Sequence, residues 1–425
     1  MDKSLLKKAA IQSVALMIAV ITSSYALQQY QTVEISASNI AGEVTKATTE
    51  ETKAAQLVKS SIPVLSEIAM ITSGSQVMAA SLDELKRQVD ENIFKQLSDN
   101  YLVIKKPGAG VSSISLEDLY LKKSIKVSLS GAFSEEWNSS KVMRVRGQEF
   151  FLGDPKYIEV VTQEKDEKKG SVKDVVTKDY GNDISHGITV TTKDETTALN
   201  HCEILIELDN VYAYQIYEDN NYYFIDLRKP SEVYDKVLVI DPGHGGKDAG
   251  ALSKSEKYYE KNINLGIVLA LKELLDKENI KVYYTRTKDD TVFLRPRVTL
   301  ANAVDCDYFI SMHCNSNEVT SPNGTEVLYY DTQFSGVASK DLAELFSEEL
   351  GKTVGLRNRG TILKHMDDIF IMDKAEVPMI LIEIGYLSNT KDLNYLTDPI
   401  NQKTVAQGVY NAIMRAFEEL PVNRD

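Results

Sequence analysis

The spacing of hydrophobic positions changes twice along the chain. From about Ser36 to Leu97, Gly and Pro are scarce. There SLDELKRQVDENIFKQL sets Leu82, Leu85, Val89, Ile93 and Leu97 at helical spacing behind a capping-box pair, Ser81 and Glu84. This stretch reads as a loosely packed helical spacer, closed by the linker signal KKPGAG at 105–110. From there to about Tyr234 the period is two. SIKVSLS puts Ile125, Val127 and Leu129 on one face, and GITVTT, CEILIELD, YAYQIYE and YYFIDLR continue in kind around the charged loop QEKDEKKG. Short alternating strands at this spacing predict a small antiparallel β domain. Its tyrosines suit a sugar-stacking surface or, more simply, cross-strand packing pairs.

From Lys236 the pattern changes again. KVLVI, IKVYYT, DYFISMH, EVLYY and MILIEI are near-continuous apolar runs, as strands buried on both faces require. They alternate with the helical stretches NINLGIVLALKELLDK, RPRVTLANAV, SKDLAELFSEELGK and KTVAQGVYNAIMRAFEEL. The expected fold class is an α/β catalytic domain with a largely parallel sheet flanked by helices, preceded by a small antiparallel β domain and a helical spacer. The breaks give four segments: 1–27, 28–108, 109–233 and 234–425. At roughly 190 residues, the last is large enough to be expected to fold alone.

Segment 1–27 reads as an export signal. MDKSLLKK supplies three lysines, VALMIAVI is a short apolar core, and Ser24, Tyr25 and Ala26 resemble a peptidase site. The run falls short of the roughly 20 apolar residues of a membrane span, so the segment is either a cleaved signal or a retained anchor that tethers the chain to a membrane. With a net charge of −14 spread along 425 residues, nucleic acid is excluded as a partner, because phosphate binding needs clustered Lys and Arg. Cys202, Cys306 and Cys314 are too few for a disulfide framework, and their spacing fits no Cys-only zinc site.

In open α/β sheets, ligands bind outside the carboxyl ends of the strands. His244 follows VLVI, His313 ends DYFISM and Glu383 ends MILI, so three strands deliver two imidazoles and a carboxylate to one sheet edge. Glu260 starts the next helix, where the chain has just left that edge. Two imidazoles, a carboxylate and an open fourth position suit a catalytic zinc, and a second carboxylate supplies what amide hydrolysis needs. The glycines of DPGHGG let the backbone turn sharply at the strand end and leave the His244 imidazole bare toward the cleft.

The ordered motifs IDPGHGGKDAGA, EKNINL, YYTRTKDD, LRPRVTLANA, DYFISMHCNSN, NRG and VPMILIEIGYLSN resemble those of the zinc-dependent N-acetylmuramoyl-L-alanine amidases, with an amidase-3 type catalytic domain. The resemblance covers Lys236 to about Glu419. It implies Zn2+ held by His244, Glu260 and His313, with Glu383 as catalytic acid/base. The implied reaction cleaves the amide between the lactyl group of N-acetylmuramic acid and L-alanine in peptidoglycan, at the cell wall or cell surface. The β segment ending YYFIDLRKPSEVYDK is similar to wall-targeting domains that precede such catalytic domains. Glu256 competes with Glu260 as ligand, because the intervening loop LSKSEKYY lacks the family's usual glycines. Glu260 is preferred because it opens the apolar-periodic helix. Asn315 and Asn317 are expected to orient loop or substrate. Arg286 and Arg297 are expected to meet peptide carboxylates or form salt bridges. His365 is a candidate substrate contact, and His186, His201 and Cys314 are expected to be structural. Two other readings stay open: a zinc peptidase cutting the stem peptide, and a non-catalytic wall-binding or regulatory protein. Any protein activator is unidentified.

Overall fold

The structure, a computed structural model, describes residues 79–108, 112–133, 137–166, 171–193, 200–365 and 367–423. The expected signal or anchor and the front of the spacer lie outside the described residues. Among those described, no helix is long and apolar enough to cross a membrane.

The β domain is a sandwich of two antiparallel sheets. One has four strands, in the order Ser113–Leu119, Ser124–Gly131, Asn200–Leu208, Ser185–Lys193. The other has five, in the order Ala213–Glu218, Tyr222–Arg228, Asn100–Lys105, Val142–Arg146, Glu149–Leu152. Alternation sorts the side chains. Leu102 and Ile104 enter the core between the sheets with Ile125, Val127, Leu129, Ile204 and Ile206. Tyr101 and Val103, on the opposite face, pack with Leu82, Leu85, Val89 and Ile93 of the two N-terminal helices Leu82–Gln88 and Glu91–Phe94. Ser81 caps the first of these helices, its Oγ accepting from the Glu84 amide at 3.2 Å.

This corrects the expected boundary at residue 109. The helices at 82–94 are a buried layer of the β domain and not a loose spacer, and Asn100–Lys105 is the central strand of its larger sheet. NYLVIK is buried on both faces, so it carries no period-two signal. KKPGAG, which read as a linker, joins strands of the two sheets.

In the C-terminal part, the strands are β1 (Val237–Pro242), β2 (Lys281–Tyr284), β3 (Tyr308–Asn315), β4 (Thr325–Tyr329), β5 (Asn358–Leu363) and β6 (Met379–Tyr386). The main helices are α1 (Glu260–Leu275), α2 (Leu294–Val304), α3 (Ser339–Thr353) and α4 (Pro399–Glu419). The sheet order is β2-β1-β3-β6-β4-β5. β2, β1, β3 and β6 are parallel; β4 runs antiparallel to β6, and β5 runs parallel to β4. One edge of the sheet therefore collects the carboxyl ends of β1, β3 and β6 and the amino ends of β4 and β5.

The apolar runs resolve into two faces. Leu238, Ile240, Ile310, Met312, Ile380 and Ile382 meet α1, α3 and α4. Val237, Val239, Phe309, Met379 and Leu381 meet α2. Full burial of each such side chain is worth roughly 1.5–3 kcal/mol. The second face is completed from the β domain: Val211 belongs to its cluster, and Tyr120 and Leu121 pack against it. Tyr120 also donates a hydrogen bond to the Tyr284 carbonyl at 2.8 Å and meets the Tyr283 ring edge-on at 5.1 Å. Val211, Tyr120 and Leu121 thus cover part of this face of residues 234–425.

Candidate metal centre

β1 ends at the site. The Gly243 amide donates to the Met312 carbonyl at 2.9 Å, extending the β1–β3 ladder by one residue. His244 then takes φ 62°. The left-handed region costs a non-glycine residue roughly 1–2 kcal/mol, so the turn must be held. Two buried arginines hold it. Arg286 donates to the Pro242 and Gly243 carbonyls, both at 2.9 Å, and Arg297 to the Pro242 carbonyl at 3.0 Å and the His244 carbonyl at 2.7 Å. Arg297 also pairs with buried Asp241, which accepts from Ser311 Oγ at 2.6 Å and Thr285 Oγ1 at 2.5 Å. Burial would raise the Asp241 pKa, but the Arg297 charge and these hydroxyls hold it below the usual carboxylate range. Both arginines are thus struts of the His244 loop, engaged by backbone and Asp241 and not aimed at peptide carboxylates.

Two glycines make room for the donors. A Cβ on Gly243 would run into the His313 ring. One on Gly250, at φ 66°, would lie 2.6 Å from Glu260 Oε2 and 2.7 Å from His244 Cδ2.

Glu260 is the first residue of α1 and begins its buried stripe, which continues through Ile263, Asn264, Ile267, Val268, Leu271 and Leu275. The stripe that packs α1 on the sheet also aims this carboxylate at the sheet edge. Glu260 Oε2 lies 3.1 Å from His244 Nε2, and Oε1 lies 3.0 Å from His313 Nδ1. The amides of Ala251 and Cys314 donate to the same carboxylate at 2.8 and 3.1 Å, and Asn264 Nδ2 does so at 3.2 Å. The two imidazoles sit nearly perpendicular with centroids 5.0 Å apart. Donor atoms of His244, Glu260 and His313 all lie within 4.8 Å of one another, so the group can hold a metal ion.

The far nitrogen of His244 is also engaged. Nδ1 lies 2.8 Å from Asp248 Oδ2, and Asp248 Oδ1 accepts from the Gly250 amide at 3.1 Å. A carboxylate on that nitrogen keeps the proton there and presents Nε2 to a metal. Without a metal, burial would lower the His244 pKa, but the Glu260 and Asp248 carboxylates outweigh it and raise it to about 9. Burial works against ionising Glu260 too, yet His244 and His313 hold its carboxyl well below the usual range.

Glu383 sits on β6 directly beside His313 of β3, and Glu326 of β4 lies beside Glu383 on the other side. Glu383 Oε2 is sealed from solvent and has no hydrogen-bond partner. Burial raises the Glu383 pKa to about 7; His313 and His244 oppose the rise, while Glu260 and Glu326 add to it. Glu326 itself is fully engaged: it accepts from Arg359 Nε at 2.6 Å, Asn315 Nδ2 at 3.0 Å and Tyr386 Oη at 3.2 Å.

Not every candidate falls here. Glu256 is exposed in the loop at φ 53°, outside the donor group. Asn317 shapes its loop, its Oδ1 accepting from the Val319 amide at 3.1 Å. His365 follows β5, whose amino end faces the site, so the reversed strand carries His365 to the opposite edge. Cys314 is buried, its thiol pushed well above its ordinary pKa by burial and by neighbouring carboxylates, and all three cysteines are free. His186 stacks on Tyr180 at 4.3 Å in the β domain. Asp248, Asn264, Glu326 and Arg359 were not foreseen. Asp248 and Asn264 each lie four residues after a foreseen donor, His244 and Glu260, which is the signal that would have found them. The other two stand at the amino ends of reversed strands, where a rule about carboxyl ends does not look.

The chain is similar to known proteins over the part that carries this site. A family model described as N-acetylmuramoyl-L-alanine amidase matches residues 238–415. The amidase LytC of Bacillus subtilis is 31% identical over 191 residues, 45% of this chain but only 37% of LytC. The amidase CwlM of Bacillus licheniformis is 33% identical over 182 residues, covering 42% of this chain and 68% of CwlM. Among solved structures, the catalytic domain of CwlV from Bacillus (Paenibacillus) polymyxa var. colistinus is 35% identical, covers 43% of this chain and 98% of that domain, and superposes with a TM-score of 0.40. By the family match over 238–415 and the coverage of CwlM, the chain belongs to the N-acetylmuramoyl-L-alanine amidase family.

Proposed function

We propose that the chain hydrolyses the amide between the N-acetylmuramic acid lactyl group and L-alanine in peptidoglycan. Zn2+ would be held by His244 Nε2, His313 Nδ1 and the Glu260 carboxylate, and Glu383 would be the general acid/base. The observation that carries this reading is the Glu383 Oε2 atom. A buried, unpartnered carboxylate oxygen is costly, and it stands one strand from His313, beside a His–Glu–His donor set. The donor set suits zinc by chemistry and number, with a position left open for substrate. Gly243 and Gly250 keep the space around it free.

Bound there, zinc would supply Lewis acidity to polarise the scissile carbonyl and lower the pKa of water toward roughly 7. The chain does the rest. Asp248 fixes the His244 tautomer, and the arginine struts fix its loop. Glu383 accepts the proton of the attacking water and returns it to the departing alanine nitrogen, so the amide C–N bond breaks and a lactyl carboxylate and a free amine result. Its place on the strand beside His313 suits both halves of that task.

This activity places the chain outside the cytoplasm, at the cell wall, as the family's cell-wall substrate requires. A tether through residues 1–27 and wall binding by the β domain belong to the same proposal. The test is digestion of purified peptidoglycan by the full chain, with mass spectrometry of the new termini. New N-terminal L-alanine on released peptides is expected. New termini within the stem peptide would instead make the protein a peptidase on the same scaffold.

A further inference from the structure

We propose that Arg359 is a specificity-determining residue that binds a free carboxylate on the second residue of the stem peptide. This rests on the amidase reading above. Reversal of β4 and β5 brings their amino ends to the same edge as His313 and Glu383, in a row that runs Gly243, His313, Glu383, Glu326. Arg359, at the start of β5, closes that row. Its Nε donates to Glu326 Oε2 at 2.6 Å, and its guanidinium lies 5.5 Å above the centre of the Tyr386 ring. Glu326 is 7% exposed and Tyr386 5%, so a buried base fixes the orientation of a side chain that is itself partly exposed.

Among the described residues, neither terminal nitrogen of Arg359 has a partner. Glu326 takes only the Nε position, and Asn315 and Tyr386 share that carboxylate's other oxygen. What remains is a planar pair of terminal nitrogens on a side chain 30% exposed, two strands from Glu383. That geometry matches a carboxylate, which accepts two parallel hydrogen bonds from one guanidinium.

The reach also fits. β5 stands two strands from β6, roughly 10 Å at ordinary strand spacing, and the arginine side chain spans much of that. From the scissile nitrogen, an extended peptide reaches its second residue within roughly 7 Å. An acidic second residue therefore brings its carboxylate to the Arg359 fork while the lactyl–alanine amide lies at Glu383.

The test uses the full, zinc-loaded chain and two synthetic N-acetylmuramoyl tripeptides. They differ only at the second residue, D-glutamate joined through its γ-carboxyl, with the α-carboxyl free in one and amidated in the other. Wild type should favour the free acid by roughly ten- to a hundred-fold in kcat/KM, mainly through KM, as charge-assisted hydrogen bonds do. Arg359→Ala should abolish the preference by weakening only the acid. Arg359→Lys keeps the charge without the fork, and should narrow the preference while zinc content stays unchanged. The proposal is overturned if wild type shows no preference, or if the ratio survives in Arg359→Ala or is unchanged in Arg359→Lys. Equal loss on both substrates in Arg359→Ala would likewise reduce the residue to a prop for Glu326. If wild type cleaves neither compound, the amidase reading fails and this proposal falls with it.

Discussion

The sandwich and the α/β sheet both bury charge, but they treat it differently. In the sandwich, Arg144 is 1% exposed and grips both oxygens of Asp183 at 2.8 and 2.7 Å, while Asp226 is closed by the Ser98 amide at 2.6 Å and Arg228 at 2.8 Å. At the sheet edge, Asp241 is closed in the same way, but one oxygen of Glu383 is left bare and Arg359 presents an open fork. All the buried side-chain atoms found without a partner among the described residues, Asn264 Oδ1, Tyr283 Oη, Tyr284 Oη and Glu383 Oε2, lie in the α/β part. Closed pairs hold a fold together; of the open atoms, Glu383 Oε2 is the one on the strand beside His313 of the His–Glu–His donor set.

The contrast can be broken most severely at Glu260. Glu260→Ala should lose the metal outright and all activity with it, since it removes the carboxylate that both imidazoles face. Glu256→Ala should keep the metal. Metal analysis of the purified variants decides, and a reversed result would mean the ligand is misplaced. On the sandwich side, Asp183→Asn leaves Arg144 buried without a counter-charge. Breaking a buried pair from one side costs about 3–5 kcal/mol. Denaturant unfolding should show that loss, with zinc content per folded chain unchanged. A loss of zinc there would deny the separation of roles.

Asp248→Ala removes the partner of His244 Nδ1, and loss of such a partner weakens metal affinity by about 10–100-fold. Competition with a coloured chelator measures it, and unchanged affinity would show that the loop alone orients the ring. At the junction, burial raises the Asp118 pKa to about 6, partly offset by Lys281. A carboxyl raised above its unfolded value of 3.8 stabilises the fold only while protonated, so its contribution is lost as pH rises through about 6. Asp118→Asn should therefore gain stability relative to wild type between those two pH values and hold a constant difference above them. A difference independent of pH would place Asp118 in solvent.

Much of this was legible in the sequence, for reasons that can be named. The runs VLVI, DYFISM and MILI read as strands buried on both faces, and each is followed by polar residues that a carboxyl-end rule could collect. Glu260 stood out from Glu256 because it falls in register with the apolar stripe of α1. What escaped depended on direction or on two-sided burial. Glu326 and Arg359 need the reversal of β4 and β5, which no local pattern encodes. NYLVIK, covered by a sheet on one face and helices on the other, resembles neither an alternating strand nor a helix. The packing of Val211, Tyr120 and Leu121 on the α/β core is a contact across more than a hundred residues in part, beyond any periodicity.

In the proposed mechanism Glu383 moves the proton and does not bind the metal. Glu383→Gln keeps the size and shape of the side chain and removes the ability to accept that proton. Turnover and zinc content measured together on the full chain test it directly. A fall in turnover of about 10²–10⁴-fold is expected, with zinc content as in wild type. Zinc lost along with activity would make Glu383 a ligand, and activity within a few-fold of wild type would hand the proton to another residue.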